Sequence, residues 1–353
     1  MSAKTDRDVP ALAAGLGMGG ALAKLRQIRE LGLAGLIAVV FVLLAFTNSA
    51  FLSKGNLAAT GNGMAPILIV TIGMTITLIS GGFDLSVGGV VALSSVLMLV
   101  LVQAGFPAGL GLIVAIVAGM SVGLLNGFLI TKVGINPLIT TLGTLGMSRG
   151  IAAVISRGTI VSPGPVIPDW FLWVGQSSIL GVRTLIVLPL VIVVVVDLLT
   201  RRSRFFRKLY YLGGSERAAQ FAGIDVAAIK MVVYWLSSTL AALAGYLLAS
   251  RFGAAAADFG TGYEMQAISA AVIGGASLTG GAGSIVGSFL AVLLLALVQD
   301  AILLYRVSVF WQDFISGSIL IIAVAVPAIS AKRETLARTW RAWRRRSPDK
   351  RPS

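Results

Sequence analysis

The strongest constraint on this chain is a succession of apolar runs, most of them near the about 20 residues that cross a hydrocarbon layer as helix. They read as Leu31–Phe46, Pro66–Ser80, Leu85–Gln103, Gly109–Ile130, Pro137–Ile155 and Thr184–Thr200, then Ile229–Ser250, Met265–Leu278, Ile285–Leu304 and Phe310–Ile329. This pattern predicts an all-α polytopic membrane protein with about ten transmembrane helices, because a single chain in lipid must satisfy its own backbone. A different division of the Met265–Leu304 region changes that count but not the class. Hydrophobic residues make up 57% of the chain and charged residues 12%, about half the charged share of a soluble globule, so an ordinary soluble fold is excluded.

The long polar stretch Arg201–Lys230 interrupts the apolar runs, and its Arg and Lys density places it in the cytoplasm. Residues 1–30 read as a flexible cytoplasmic tail, residues 31–329 as the transmembrane domain and residues 330–353 as a basic cytoplasmic tail. Basic residues ahead of Leu31 also fit a signal peptide, but the length of the run and the spans after it make it the first span. With both termini inside, the loops assigned to the other face carry only Lys54, Arg157, Arg183, Arg251 and Arg306. The formal charge of +14 then reflects topology and anionic lipid, not nucleic acid. Lys332, Arg333, Arg338, Trp340, Arg341, Trp343 and Arg344–Arg346 describe a basic helix lying on headgroups.

Inside the polar stretch, Gly213 and Gly214 predict a break, Ser215 an N-cap, Glu216–Ala222 two helical turns and Gly223 their end, with Asp225 capping the next span. Ala218, Phe221 and Ala222 share one face at i, i+3 and i+4, too small to build a core. Two readings stand: a helix made to dock, or a short surface helix of the kind long loops carry.

The segment Ser80–Gly89, SGGFDLSVGG, sets Gly81, Gly82, Asp84, Ser86 and Gly88 between two apolar runs. An ionisable group there faces a cavity or a partner, and glycine-interrupted segments mark the broken helices of many transporters. Alternatively, Asp84 caps the third span. A second hairpin, Gly274–Gly283, repeats the pattern. Within spans, Asn126, Asn136, Thr140, Thr141, Thr144, Arg149, Gln266 and Gln299 either line a route for a hydroxyl-rich solute or bond between helices. In the predicted loop Ser156–Val182, prolines forbid a regular helix, and Trp170, Phe171 and Trp173 suit the interfacial belt above an outer gate.

The chain has no Cys and no His, which removes thiolate chemistry and the commonest proton shuttle. No catalytic residue, metal site or cofactor of its own is expected. No stretch fits GxxxxGK[ST], so nucleotide phosphates are not held in the usual way. A conduit of this kind is passive or takes work from another subunit, and the docking-type helix favours the second. An ion-coupled secondary carrier, suggested by Asp84, is the alternative; a membrane enzyme or receptor would need a carboxylate-based site or an appended domain.

The phrases SGGFDLSVGG, NGFLITKVGINPLITTLGTLGMSRGIA, GSERAAQFAGIDVAAIKMVVYWLSSTLAALAGYLLASR and GYEMQAISAAVIGGASLTGGAGSIVGSFLAVLLL resemble, in order, the permease subunits of bacterial ribose-type (simple-sugar) ABC importers. The resemblance runs from Leu31 to Ile329. It implies an inner-membrane permease pairing with a second copy or a paralogue, a cytoplasmic ABC ATPase that uses the ATP, and a periplasmic sugar-binding protein delivering a monosaccharide or related polyol. It makes Ser215, Glu216, Arg217, Ala218, Ala219, Gln220, Phe221, Ala222 and Gly223 the coupling helix, with Glu216, Ala218, Ala219 and Gly223 the positions carried over. The family phrase GGxDLSVG falls on Gly81–Gly88, with Phe83 at its variable place, and implies a pathway or gating role there.

Overall fold

The structure is a computed structural model that describes residues 10–308 apart from 180, with side chains from 29 onward, and a few positions between 311 and 325. The helices are α1 (Pro10–Thr47), α2 (Lys54–Ile79), α3 (Val87–Gln103), α4 (Ala108–Phe128), α5 (Pro137–Ser156), α6 (Asp169–Gln176), α7 (Thr184–Arg202), α8 (Arg204–Gly214), α9 (Glu216–Phe221), α10 (Val226–Phe252), α11 (Tyr263–Ile273) and α12 (Ile285–Leu304). A two-stranded hairpin, β1 (Ser178–Ile179) with β2 (Val182–Arg183), lies between α6 and α7. Among the described residues, seven helices are long and apolar enough to cross a membrane: α1 from Arg29, α2, α4 with its π-helical extension to Val133, α5, α7, α10 and α12. The chain is a multi-pass, all-α membrane protein.

Several expected boundaries move. The predicted tail is helical from Pro10 and continuous with the first span, because Ala, Leu, Lys and Arg outweigh the scattered glycines in helix propensity. The predicted tenth span, Phe310–Ile329, lies almost wholly outside the described residues, as does the basic segment 330–353. α3 has 17 residues, and the predicted eighth span, Met265–Leu278, is helical only as part of the 11-residue α11.

The predicted second span began at Pro66, but α2 begins twelve residues earlier, at Lys54, where Ser53 Oγ accepts from Asn56 N at 3.2 Å. Pro66 sits inside the helix. Lacking an N–H, it cannot donate to the carbonyl of Asn62, four residues back. Arg251 of α10 supplies the missing donor, its Nη1 lying 2.9 Å from Asn62 O. Arg251→Met is therefore expected to cost about 1–3 kcal/mol by stranding that carbonyl, and Pro66→Ala in the same chain is expected to restore most of it. Thermal unfolding in detergent checks both; absence of rescue by Pro66→Ala would contradict the repair.

The chain alternates between two ends of the bundle. One, the α9 end, gathers α8, α9, both glycine-rich hairpins, the last turns of α2, α4 and α7 and the first turns of α5, α10 and α12. The other, the α6 end, carries α6 and the β-hairpin. α10 is the central helix and packs on α4, α2 and α3. Gly119, Gly123 and Gly127 of α4 admit it closely, facing Ala242 and Ser238, then Tyr234 and Trp235, then Met231. This spacing of small residues packs helices where lipid supplies no hydrophobic drive. α1, by contrast, exposes Leu36, Val39 and Leu43 and packs on α12.

The loop expected to exclude helix contains one. Pro168 precedes α6 instead of interrupting it, so the prolines start the helix. Phe171 is not in the interfacial belt: it is fully buried, with its ring edge-on to Tyr246 at 5.3 Å between centroids. Trp170 and Trp173 are exposed, as a belt requires.

Candidate functional site

The polar stretch is mostly helical. Ser203 Oγ accepts from Phe205 N at 3.1 Å and starts α8, whose Phe206, Leu209 and Leu212 are buried while Arg204, Arg207 and Lys208 are exposed. A basic amphipathic helix of this kind lies along a membrane surface. Gly213 and Gly214 do not break it; they form its last turn, and the break falls at Ser215.

Ser215 Oγ then accepts from Ala218 N at 3.2 Å, the expected N-cap of α9. Gly223, at φ +73°, turns the chain out of the helix in a conformation that suits glycine. Asp225 Oδ1 caps α10 through Ala228 N at 3.0 Å. Of the short helix, Ala219 is buried, whereas Ala218, Ala222 and Phe221, at 92% exposure, face away from the bundle. Arg217 and Gln220 are also exposed. Glu216 Oε2 pairs with Lys230 Nζ of α10 at 2.7 Å, so the helix offering an apolar face outward is tied inward to the central span.

Both glycine-rich hairpins meet the end of α8. Gly281 N donates to Ile79 O at 2.9 Å, and Tyr210 Oη donates to Gly283 O at 3.0 Å. A methyl group on Gly213 would collide with Ile79 O and Gly281 N, both backbone atoms, and one on Gly280 would collide, less severely, with Gly213 O and the backbone of Gly81. The similarity of the two hairpins therefore has a spatial counterpart: backbone lies on backbone where side chains would not fit. Beyond this junction, Arg29 Nη2 donates to Val272 O at 2.6 Å, and Ser284 Oγ donates to Glu30, which ties α1 to the second hairpin.

Asp84 is wholly buried and does not cap α3. Its Oδ1 accepts from Ser86 N at 3.1 Å and Ser86 Oγ at 2.5 Å. Asn126 Nδ2 of α4 donates to Ser86 Oγ at 2.9 Å, and Thr144 Oγ1 of α5 donates to Asn126 Oδ1 at 2.7 Å. Four expected pathway residues thus form one buried chain of hydrogen bonds joining three elements.

The other expected pathway residues are not side-chain members of this hydrogen-bonded chain. Asn136 is exposed and caps α5, its Oδ1 accepting from Leu138 N at 2.9 Å, while Thr140 Oγ1 returns to Asn136 O. Gln266 and Gln299 line a small cavity with Met64, Ile67 and Val292. Gly81 belongs to the glycine junction, Gly82 abuts the Tyr234 hydroxyl, and Gly88 abuts Glu264. The sequence reading missed the junction partners, since spacing alone does not say which glycines meet.

Fold and site define a polytopic permease with a surface helix rooted in its central span. Residues 56–324 match the family described as "Branched-chain amino acid transport system / permease component", and the chain belongs to that family. It is 34% identical over 322 residues to the autoinducer 2 import system permease protein LsrD of Klebsiella pneumoniae, covering 90% of this chain and 97% of that protein. It is 33% identical over 308 residues to the probable ABC transporter permease protein y4mJ of Sinorhizobium fredii, covering 86% and 90%. It is 35% identical over 286 residues to the ribose import permease protein RbsC of Bacillus subtilis, covering 81% and 88%. No solved structure matches the chain.

Proposed function

We propose that this chain is the membrane subunit of an ATP-driven importer of a monosaccharide or related polyol, moved by a separate cytoplasmic ABC ATPase. The observation that carries this reading is α9: an exposed apolar face of Ala218, Phe221 and Ala222 on a helix fastened inward through Glu216–Lys230 and set beside the glycine junction. A push on such a face reaches α10 through an ion pair and reaches the end of α2 through backbone contacts, so small displacement at the surface reorients packed helices. The buried chain Asp84–Ser86–Asn126–Thr144 would carry the first turns of α3 along with α4 and α5, as a brace rather than a wet lining. The relatives named for ribose, autoinducer 2 and ABC transport support the solute class and the energy source.

The cations divide as an inner-membrane topology requires. Lys132, Arg201, Arg202, Arg204, Arg207, Lys208, Arg217 and Lys230 lie at the α9 end, and Lys54, Arg157, Arg183, Arg251 and Arg306 at the other. By the positive-inside rule the α9 end, and with it the N-terminal side of α1, faces the cytoplasm. A periplasmic sugar-binding protein would then meet the α6 end, and a second permease, identical or paralogous, would complete the conduit.

The test is uptake in proteoliposomes with the ATPase and binding protein supplied. Deletion of residues 216–222, or Gly223→Pro, which forbids φ +73°, is expected to abolish uptake while ATP hydrolysis continues. The chain alone is expected to hydrolyse no ATP. Uptake that survives the deletion, or uptake by the chain alone under an ion gradient, would overturn the reading.

A further inference from the structure

Resting on the importer reading, we infer that Arg149, Thr261 and Glu264 form a contact site for a neutral, polyhydroxylated solute along its route. Arg149 is half-buried on α5, seven residues before the helix ends at Ser156, or roughly 10 Å inside that end at the α-helical rise. A guanidinium at such depth faces protein or water, not lipid. It does not reach along α5 to the boundary. Its Nη1 donates instead to Thr261 Oγ1, in the segment between α10 and α11.

That segment is irregular backbone carried deep into the bundle. It leaves α10 at the α6 end, where Ala255 bridges to Val161. Its Gly260 then packs on Val91 and Gly88, in the first turns of α3 and far along that helix from Gln103. Here α11 begins, which explains why it spans only 11 residues. Non-helical backbone at membrane depth is tolerated where it is buried in protein or lines an aqueous cavity, and helices begun partway across a bilayer are where transporters hold solutes.

The chemistry at this place suits hydroxyl groups. Thr261 Oγ1 accepts from Arg149 and donates to Asp258 O at 2.5 Å. Glu264 Oε2 packs against Gly88 and has no hydrogen-bond partner among the described residues, while Ser148, next to Arg149 on α5, packs against the adjacent Gly89. Guanidinium donors, a carboxylate acceptor and a hydroxyl that serves as either complement a sugar's hydroxyls. Opposite charges at one place leave little net field to demand an ionic solute. Beside Arg149 on α5, a Cβ added at Gly146 or Gly150 would meet nothing within 4 Å, so neither position is packed against another helix.

The chain has no cysteine, so Thr261→Cys gives this subunit one thiol, and labelling is read on this subunit's band within the full assembly. A hydrophilic, membrane-impermeant thiol reagent is expected to label it from the binding-protein side. Labelling is expected to slow at least about fivefold when one of a panel of D-ribose, D-xylose, L-arabinose, D-glucose and D-galactose is supplied with binding protein and ATP. In parallel, Glu264→Gln and Arg149→Lys are expected to lower uptake of the imported sugar about tenfold or more, with binding-protein-stimulated ATP hydrolysis within about twofold of the parent. A thiol that does not label, labelling indifferent to every sugar the parent imports, uptake that is unchanged, or uptake and hydrolysis that fall together would each overturn the assignment. If the parent assembly imports neither a sugar of the panel nor any of the corresponding polyols, the importer reading itself falls, an outcome distinct from failure of the variants alone.

Discussion

Gly213→Ala is expected to destabilise the folded chain by about 1–3 kcal/mol, or to prevent its accumulation in the membrane, while Gly214→Ala does not destabilise it and adds up to about 1 kcal/mol of helix propensity. The two glycines are adjacent, share α8 and read identically in the sequence. A methyl group on Gly213 meets the carbonyl of Ile79 and the N–H of Gly281, whereas one on Gly214 meets nothing within 4 Å. Backbone atoms cannot rotate away as a flexible side chain can, so the strain must spread into the last turn of α2 and the second hairpin. Helix propensity acts in the opposite direction, since alanine favours both positions. A loss at Gly213 can therefore come only from the contact. Thermal midpoints of the two variants in the same detergent decide the matter, and equal midpoints would refute the junction.

The second large effect is expected at Asp84 and Asn126. Each holds Ser86, Asp84 by accepting from its N–H and hydroxyl and Asn126 by donating to its oxygen. Asp84→Ala leaves a buried backbone N–H and a hydroxyl without their acceptor, at about 1–3 kcal/mol for each group left unmade. Asn126→Ala frees Ser86 and Thr144 together. Because both act through one serine, the double variant is expected to lose clearly less than the two single losses combined, a coupling of about 0.5–3 kcal/mol. Thr144→Val is expected to be milder, since it removes the donor to one acceptor, Asn126 Oδ1, and leaves the contacts of Ser86 in place. Additive losses at Asp84 and Asn126 would mean that the chain of hydrogen bonds does not act as a unit.

The apolar runs made the polytopic class legible because burial in lipid imposes length and hydropathy on each segment independently of its neighbours. α9 was legible for a similar reason: Ser215, Gly223 and Asp225 are local devices, and each does locally what its residue type dictates. What the sequence hid were contacts between distant segments. Pro66 looked like a helix start because the donor that compensates it, Arg251, comes from another helix. Met265–Leu278 looked like a whole span because its apolar composition continues past Ile273, where Gly274 and Gly275 turn the backbone. Asn136 and Asn126 were equivalent candidates on paper. Only packing separates an exposed cap from the centre of a buried network.

α2 also has a mechanical character. It is gripped at its ninth residue, Asn62, by the guanidinium of Arg251, and at its last carbonyl by the amide of Gly281. A rod held at two separated points can serve as an axle but not as a piston. The motion open to this bundle is then a turning of its neighbours around α2, with little sliding along it.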